Sequence, residues 1–195
     1  MPEHNTLTGS QLHWPRGTDT ASAGQVFVAD GSNAGSFQTL STLIQDENTV
    51  LAKVKTSDTV FNTDNTLAND SSLASYTLDA SSTYKVDGVI LYDSADGTTG
   101  AQFKVNLSSG TLSASGAQYI SSKSGDNSVV SSGAVALTDT VTVASPGGSS
   151  TVEVRISGYV TTSTESVLSL QTAQDTSVAT DTTFRQGSHL TFTKV

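Results

Sequence analysis

Hydroxyl nucleophiles are abundant in this chain, because about 31 Ser and about 30 Thr make up roughly a third of its 195 residues. A hydrolytic triad also needs a histidine base that a carboxylate orients. The three histidines are His4, His13 and His189, and the first two lie in a segment without an evident hydrophobic core. The sequence contains no Gly-x-Ser-x-Gly nucleophile elbow. These features argue against nucleophilic hydrolysis, and we expect that the chain is not an enzyme.

Carboxylates are dense between residues 79 and 96, and a glycosidase needs two of them across a cleft. The Asp-x-x-Asp-Gly sequence at 93–97 is ordinary turn chemistry, because an aspartate there accepts hydrogen bonds from its own backbone. The loop does not match the ligand spacing of a calcium loop, so weak calcium binding at Asp93, Asp96 or Asp126 is a minor alternative. We therefore expect no metal site and no cofactor.

The charge balance excludes several classes of partner. The chain has 18 Asp plus Glu against 9 Lys plus Arg, for a formal charge of −9. Phosphate contacts need clustered basic residues, so nucleic acid is not an expected partner. No apolar run approaches the ~18 residues of a transmembrane helix, and the first ten residues do not resemble a signal peptide, so no membrane contact is expected. The absence of Cys excludes a disulfide framework.

Apolar residues recur at every second position. Val152, Val154 and Ile156 alternate with polar residues, and the run 103–107 repeats the pattern. This period places one set of side chains on each face of a strand. Turn residues separate the runs. The predicted strands are 25–29, 49–55, 58–61, 73–79, 83–92, 101–107, 111–121, 128–137, 139–144, 151–161, 165–172 and 188–194. The fold class is therefore all-β, an antiparallel β-sandwich or jelly roll preceded by an extended N-terminal arm.

Residues 1–48 differ from the rest of the chain. They hold the only Trp and two of the three His, and their alternation is weak outside Val26–Val28. We interpret them as an extended arm that needs a surface to lie on, and residues 49–195 as the sandwich. Trp14 followed by Pro15 has no local core to enter. Two alternatives are open for this side chain: docking on a partner surface, or packing on the chain's own sandwich.

Three segments resemble parts of tailed-phage virion structural proteins. The run 73–92, which ends Tyr84-Lys-Val-Asp-Gly-Val-Ile-Leu-Tyr92, is similar to the first strands of their jelly rolls. The run 167–192, which contains Ala173-Gln174 and Gly187-Ser188, resembles their closing strands. The leader Leu-Thr-Gly-Ser-Gln-Leu-His-Trp-Pro-Arg-Gly at 7–17 resembles one attached to some phage head or fibre proteins. The resemblance implies a C1q/TNF-like jelly roll that assembles as a homotrimer, in a capsid decoration (cement) protein, a head fibre or a tail-fibre module.

The resemblance also implies a site for each part of the chain. The arm would bind the major capsid protein on the outer surface of the head, which would place the protein on the virion. The arm residues expected to do so are Leu7, Leu12, His13, Trp14, Pro15 and Val26. The residues expected at the trimer interface, or in the core behind it, are Leu168, Leu170, Phe184, Leu190 and Phe192.

The alternative function is a carbohydrate-binding module, as a tail-fibre or head-fibre adhesin that contacts the host surface. Sandwich folds often present sugar sites, and aromatic rings supply faces on which a sugar stacks. The candidate rings are Tyr76, Tyr92, Tyr119 and Tyr159, and the partner would be a host-surface glycan.

Overall fold

A computed structural model of the chain describes residues 49–95, 98–123, 129–145 and 150–195, together with the strands 25–29 and 35–39; for those two strands and for 129–131 only the backbone is described. The chain divides into two compact units, Met1–Asn48 and Thr49–Val195. In the first unit β1 (Gln25–Ala29) pairs antiparallel with β2 (Gly35–Thr39).

The second unit contains two antiparallel sheets, which we call the large sheet and the small sheet. The large sheet has eight strands: β3 (Val50–Val54), β4 (Thr59–Phe61), β7 (Thr83–Ser94), β9 (Leu112–Lys123), β10 (Val129–Val135), β12 (Thr151–Thr162), β14 (Thr182–Phe184) and β15 (His189–Lys194). The small sheet has five: β5 (Ala68–Asn69), β6 (Tyr76–Leu78), β8 (Ala101–Ser109), β11 (Val141–Val143) and β13 (Ser166–Gln174).

The strand order is that of a jelly roll. The large sheet runs β10-β9-β12-β7, and the free edge of β7 pairs with β14 and β15, which pair in turn with β4 and β3. The small sheet runs β11-β8-β13, and β5 and β6 both pair with β13. Without β4, β5, β14 and the β9–β10 hairpin, the large sheet has the order β3-β15-β7-β12 and the small sheet has the order β6-β13-β8-β11. This is the strand order of two interleaved Greek keys. The predicted all-β sandwich is confirmed.

The core lies between the two sheets and follows the alternation in the sequence. Along β7 and β12 every second side chain is buried. Rings from both sheets meet there, since the Tyr76 ring of the small sheet lies 4.8 Å from the Phe192 ring of the large sheet, centroid to centroid. Each fully buried large apolar side chain contributes about 1.5–3 kcal/mol relative to exposure. Apolar burial between the sheets is therefore the main source of stability.

The predicted strands all occur, with boundaries shifted by a few residues. Three short strands have no counterpart among the predictions: β2, β5 and β14. Their sequences are GSFQT, AN and TTF. The strands β5 and β14 have two and three residues, too few to display an alternation, and β2 begins with Gly, which is depleted in strands. Backbone partners come from β13 for β5, from β7 for β14 and from β1 for β2.

One ion pair is buried between the sheets. The Lys55 ammonium, which follows β3 of the large sheet, contacts the Asp70 carboxylate beside β5 of the small sheet, and both side chains are 1% exposed. Lys55 Nζ also donates to Thr59 Oγ1 at 2.6 Å. The second carboxylate oxygen of Asp70 accepts hydrogen bonds from the backbone N–H groups of Ser72 (2.9 Å) and Leu73 (3.2 Å). Both charges therefore have the partners that replace water.

Removal of one member of this pair should destabilise the sandwich strongly. A Lys55→Met substitution leaves the Asp70 carboxylate buried without its counter-ion, and we expect a loss of about 3–5 kcal/mol in the free energy of unfolding, measured in urea. Lys85→Met is the control, because Lys85 pairs with Asp87 while its side chain is 59% exposed. The control should cost about 0–1 kcal/mol. Equal losses of unfolding free energy in the two variants would contradict the burial of the Lys55–Asp70 pair.

Two glycines adopt the left-handed backbone conformation, with φ of +91° at Gly110 and +88° at Gly187. Their surroundings differ. A Cβ at Gly110 would lie 2.3 Å from the Glu165 carbonyl oxygen and 2.6 Å from the Ser166 Cα, whereas at Gly187 the nearest neighbour would be Leu91 Cδ1 at 3.7 Å. Gly110 is therefore required both by its φ and by the close approach of the 163–166 segment, and Gly187 by its φ alone.

The pair of glycines separates backbone strain from steric clash. Gly187→Ala should cost about 1–2 kcal/mol, the penalty of an L-residue in the left-handed region. Gly110→Ala should cost that amount and more, because the β8–β9 turn must move away from Glu165. Urea unfolding of the two variants measures the difference. A smaller loss for Gly110→Ala than for Gly187→Ala would show that the turn does not approach Glu165 closely.

Candidate functional site

The residues considered for catalysis and metal binding are not brought together in the part of the chain that the structure describes. His4 and His13 lie outside it, as do Asp96 and Asp126. His189 is half-buried, with its Nδ1 3.3 Å from the Gly187 carbonyl oxygen. Among the described residues no group of three His, Cys, Asp or Glu side chains could hold a metal ion, and no helix has the length and apolar character to cross a membrane.

Asp93 has a structural partner. Arg185 Nε donates to the Asp93 carboxylate at 2.5 Å, and Arg185 Nη1 donates to Asp58 Oδ2 at 2.7 Å. The other Asp58 oxygen accepts the Gln186 N–H at 2.7 Å, and this bond, together with Arg185, holds the pKa of Asp58 below its usual range. Arg185 thus joins β7 to the loops that follow β3 and β14. These contacts tie the loops together and hold one carboxylate oxygen of Asp93.

The predicted arm residues cannot be placed. Leu7, Leu12, His13, Trp14 and Pro15 lie outside the described residues, and only the backbone of Val26 is described, within β1. Their role in binding the major capsid protein stays a prediction.

The five residues assigned to a trimer interface or to the core lie inside a single chain. Leu168 and Leu170 project inward from β13, and the others project inward from β14 and β15. All have exposures of 1% or less: Leu168, Leu170, Phe184, Leu190 and Phe192. They pack between the two sheets, so a subunit contact has to use other side chains.

The four tyrosines proposed as sugar-stacking rings have different environments. Tyr76 and Tyr92 are buried, and their hydroxyls donate to the carbonyl oxygens of Leu190 (3.0 Å) and Ala144 (2.7 Å). Tyr119 is half-buried against the core. Tyr159 is 50% exposed. A sugar could therefore stack on Tyr159 but not on Tyr76 or Tyr92, because the core covers both faces of a buried ring.

Exposed apolar side chains concentrate on one surface, the side of the large sheet that points away from the core, which we call the outer face. Among the described residues, seven large apolar side chains are more than a third exposed, and five of them lie on this face. They are Val50 (54%), Val54 (56%), Val60 (56%), Ile120 (51%) and Tyr159 (50%). Single exposed apolar residues are common, but a group on one face marks an interaction surface. This surface was not predicted from the sequence.

The strand register places these side chains at two margins of the outer face. Val54 of β3 pairs with His189 of β15, and His189 pairs with Val89 of β7. Arg155 of β12 then lies between Val89 and Ile120 of β9. With a strand spacing of about 4.8 Å, the Val54 margin and the Ile120 margin are separated by about 19 Å. The face thus has an apolar margin on β3, a second on β9 and β12, and a mixed centre.

The charges in the centre of the outer face are already paired. Lys85 Nζ lies 2.8 Å from Asp87 Oδ2, and Arg155 Nε lies 2.5 Å from Glu153 Oε1. Two positive and two negative side chains cancel in a chain whose formal charge is −9. The centre is therefore close to neutral, and it does not contribute to the repulsion between copies that the overall negative charge causes.

A trough crosses the second margin, where β10, β9 and β12 lie side by side. Small residues form its floor, and the Tyr159 ring stands at one wall. The cavity has a volume of about 470 Å³ and is lined by Gly116, Ala117, Gln118, Ala134, Val135, Ser157, Gly158 and Tyr159. None of these residues is charged. A Cβ on Gly116 would lie 3.1 Å from the Tyr159 ring, so the missing side chain leaves space for that ring.

The comparisons with known proteins show a weak likeness to viral structures. No family model and no curated protein matches the chain. The solved structure "Structure of infectious bursal disease virus Gt strain" is 10% identical with a TM-score of 0.22, and the match covers 86% of this chain and 45% of that chain. "Crystal structure of infectious bursal disease virus VP2 subviral particle" gives the same identity and TM-score, with 43% of that chain covered. The chain spans less than half the length of these proteins.

The buried tyrosines predict a loss of stability at alkaline pH. Burial raises the pKa of the Tyr76 and Tyr92 phenols above their usual range. Near and above pH ~10 the unfolded chain releases these protons while the folded chain keeps them, so stability falls as pH rises through that window. In Tyr92→Phe the fall should be shallower by up to about 1.4 kcal/mol per pH unit, measured by urea unfolding at each pH. The same dependence of stability on pH in Tyr92→Phe and in the unchanged protein would contradict the burial of the Tyr92 phenol.

Proposed function

We propose that the protein is a non-enzymatic virion structural protein, a homotrimeric capsid decoration protein that binds the outer surface of a phage head and stabilises it. The outer face carries this proposal. Exposed apolar side chains grouped at the margins of one face mark an interaction surface, which a subunit of an assembly covers. The jelly-roll order of the strands and the resemblance of the runs 73–92 and 167–192 to virion proteins support the same function.

The arm supplies attachment in this proposal. Residues 1–48 contain the only Trp of the chain, and Leu12 and Trp14 stand close together in sequence. Aromatic and aliphatic anchors that enter pockets contribute most of the energy of many interfaces. The arm would bury them against the major capsid protein and add contacts between neighbouring capsid subunits. Such contacts would help the shell to resist internal pressure.

A host-surface adhesin is the second candidate, and it depends on Tyr159. This ring is half exposed beside the trough, where the Gln118 amide and the Ser157 hydroxyl offer hydrogen bonds. A glycan array tests the candidate. Binding that a Tyr159→Ala substitution abolishes would support it, and the absence of any binding would leave decoration as the function.

The arm's role can be tested in the full-length chain. The purified protein should have a mass of three 20.1 kDa chains by light scattering. It should also sediment with phage heads that lack it. A Leu12→Asp/Trp14→Asp variant should keep the trimer mass and lose at least about tenfold in binding to the heads, because two anchors of ~1–2 kcal/mol each are removed.

Val178→Asp is the matched control for this variant. Val178 is 37% exposed and lies in the β13–β14 loop of the second unit. It should bind heads as the unchanged protein does. Undiminished binding by the Leu12→Asp/Trp14→Asp variant would exclude these two residues as the attachment site, and a monomeric unchanged protein would exclude the trimer.

A further inference from the structure

We propose that the buried contact between Lys55 and Asp70 is the precursor of a covalent cross-link, an amide that joins Lys55 Nζ to Asp70 Cγ with the release of one water molecule. This inference does not depend on the proposed function. It rests on the contact between the two reacting groups, on the exclusion of water from them, on their fixed backbones and on the hydrogen-bond donors at the second carboxylate oxygen.

The two reacting groups contact each other where water is excluded. Lys55 Nζ donates to Asp70 Oδ2, so the carboxyl carbon lies one covalent bond beyond the atom that the nitrogen already contacts. Both side chains are 1% exposed. In water, the solvation of ammonium and carboxylate ions opposes their condensation. Burial removes that solvation, and it therefore favours a neutral amide over two charges in the core.

Backbone hydrogen bonds hold both residues in place. The Lys55 N–H donates to the Ser188 carbonyl oxygen at 2.7 Å, and the Lys55 carbonyl oxygen accepts the Gly187 N–H at 2.8 Å. The Asp70 N–H donates to the Leu170 carbonyl oxygen at 2.8 Å. The fold has thus already fixed the main chain on both sides of the contact. Orientation of this kind gives intramolecular reactions a high effective concentration.

The second carboxylate oxygen is placed to receive the negative charge that the reaction develops. Asp70 Oδ1 accepts the backbone N–H groups of Ser72 at 2.9 Å and Leu73 at 3.2 Å. When the amine adds to Cγ, an electron pair of the C=O bond moves to this oxygen. Preorganised backbone donors stabilise such an oxyanion in a site without water.

The condensation balances without a co-reactant. A proton moves from the Lys55 ammonium to Asp70 Oδ2, which leaves a neutral amine and a neutral carboxyl group. The Nζ lone pair then forms the bond to Cγ. Nζ passes a second proton to Oδ2, directly or through the hydroxyl of Thr59, whose Oγ1 accepts from Nζ at 2.6 Å. The Cγ–Oδ2 bond breaks and this oxygen leaves as water, and no atom is oxidised or reduced.

The amide would have a partner for each of its polar atoms. Its oxygen is the former Oδ1, which already accepts two backbone N–H groups, and its remaining N–H has Thr59 Oγ1 as an acceptor. Buried polar groups require such partners. The link would fasten the end of β3, at one edge of the large sheet, to the residue after β5, at one edge of the small sheet.

Mass spectrometry of the denatured full-length protein tests the cross-link, because an ion pair does not survive unfolding. The intact mass should be lower than the sequence mass by one water molecule. Chymotrypsin cleaves after Phe61, between the two linked positions, so the peptides that contain Lys55 and Asp70 should be recovered as one joined species. The joined peptide is the decisive signal, because ring closure at Asp87–Gly88 would release the same mass.

Two variants of neighbouring lysines are the matched controls. Lys55→Arg keeps the positive charge, but its guanidinium stays protonated and does not form the amide, so this variant should have its full sequence mass. Lys53→Arg should keep the lower mass and the joined peptide, because the Lys53 ammonium bonds to the Ala74 and Ser75 carbonyl oxygens instead. Circular dichroism shows whether each variant is folded.

The result for the unchanged protein decides the proposal. A folded protein with its full sequence mass would overturn it, and so would a lighter protein whose Lys55 and Asp70 peptides separate after cleavage. A joined peptide that persists in Lys55→Arg and disappears in Lys53→Arg would also overturn it, because the link would then start from the other lysine.

Discussion

The sandwich depends on the burial of alternate side chains from two sheets against each other, and in the described part of the chain one buried ion pair crosses the layer between them. The apolar contribution is general, since any Val or Leu of the right size would provide it. The Lys55–Asp70 contact is specific. The carboxylate accepts two backbone N–H groups from the 70–73 turn, while the ammonium comes from the end of β3. The pair therefore fixes the end of an edge strand of the large sheet relative to the edge of the small sheet.

The pair lies at a break in the edge of the large sheet. Strands β3 and β4 are separated by residues 55–58, and the strands opposite them, β14 and β15, are separated by residues 185–188. Two backbone hydrogen bonds still connect these two segments. The Lys55 N–H donates to the Ser188 carbonyl oxygen at 2.7 Å, and the Gly187 N–H donates to the Lys55 carbonyl oxygen at 2.8 Å. Lys55 keeps the inward parity of Leu51 and Lys53, and Asp70 supplies the negative charge that offsets the cost of burying its ammonium.

Alternation in the sequence was sufficient to predict the long strands, because each apolar set occupies one face and a strand of 5 or more residues repeats the pattern. It also contained information about the tyrosines. Tyr84 and Tyr92 share the parity of Val86 and Ile90 on β7, which places all four on the buried face. Alternation does not predict the ion pair between Lys55 and Asp70. Fifteen residues separate them, and only the packing of the two sheets brings their side chains together.

The outer face consists of apolar residues that occupy the polar, outward positions of their strands. In β12 the inward residues are Val152, Val154 and Ile156, so Tyr159 stands on the other parity with Arg155 and Ser157. An apolar residue at an outward position of one strand indicates an interaction surface only when neighbouring strands place apolar residues on the same face. That coincidence requires the strand order and the register, which no single strand reveals.

The composition of the outer face bears on how an acidic jelly roll could assemble. A net charge of −9 keeps copies apart in solution, and an interface must overcome this repulsion with contacts that do not add to it. Paired charges at the centre of the outer face orient two surfaces but add little energy, since exposed ion pairs contribute about 0–1 kcal/mol. In an assembly through the outer face, its exposed valines, Ile120 and Tyr159 would supply most of the free energy of association, through apolar area removed from water.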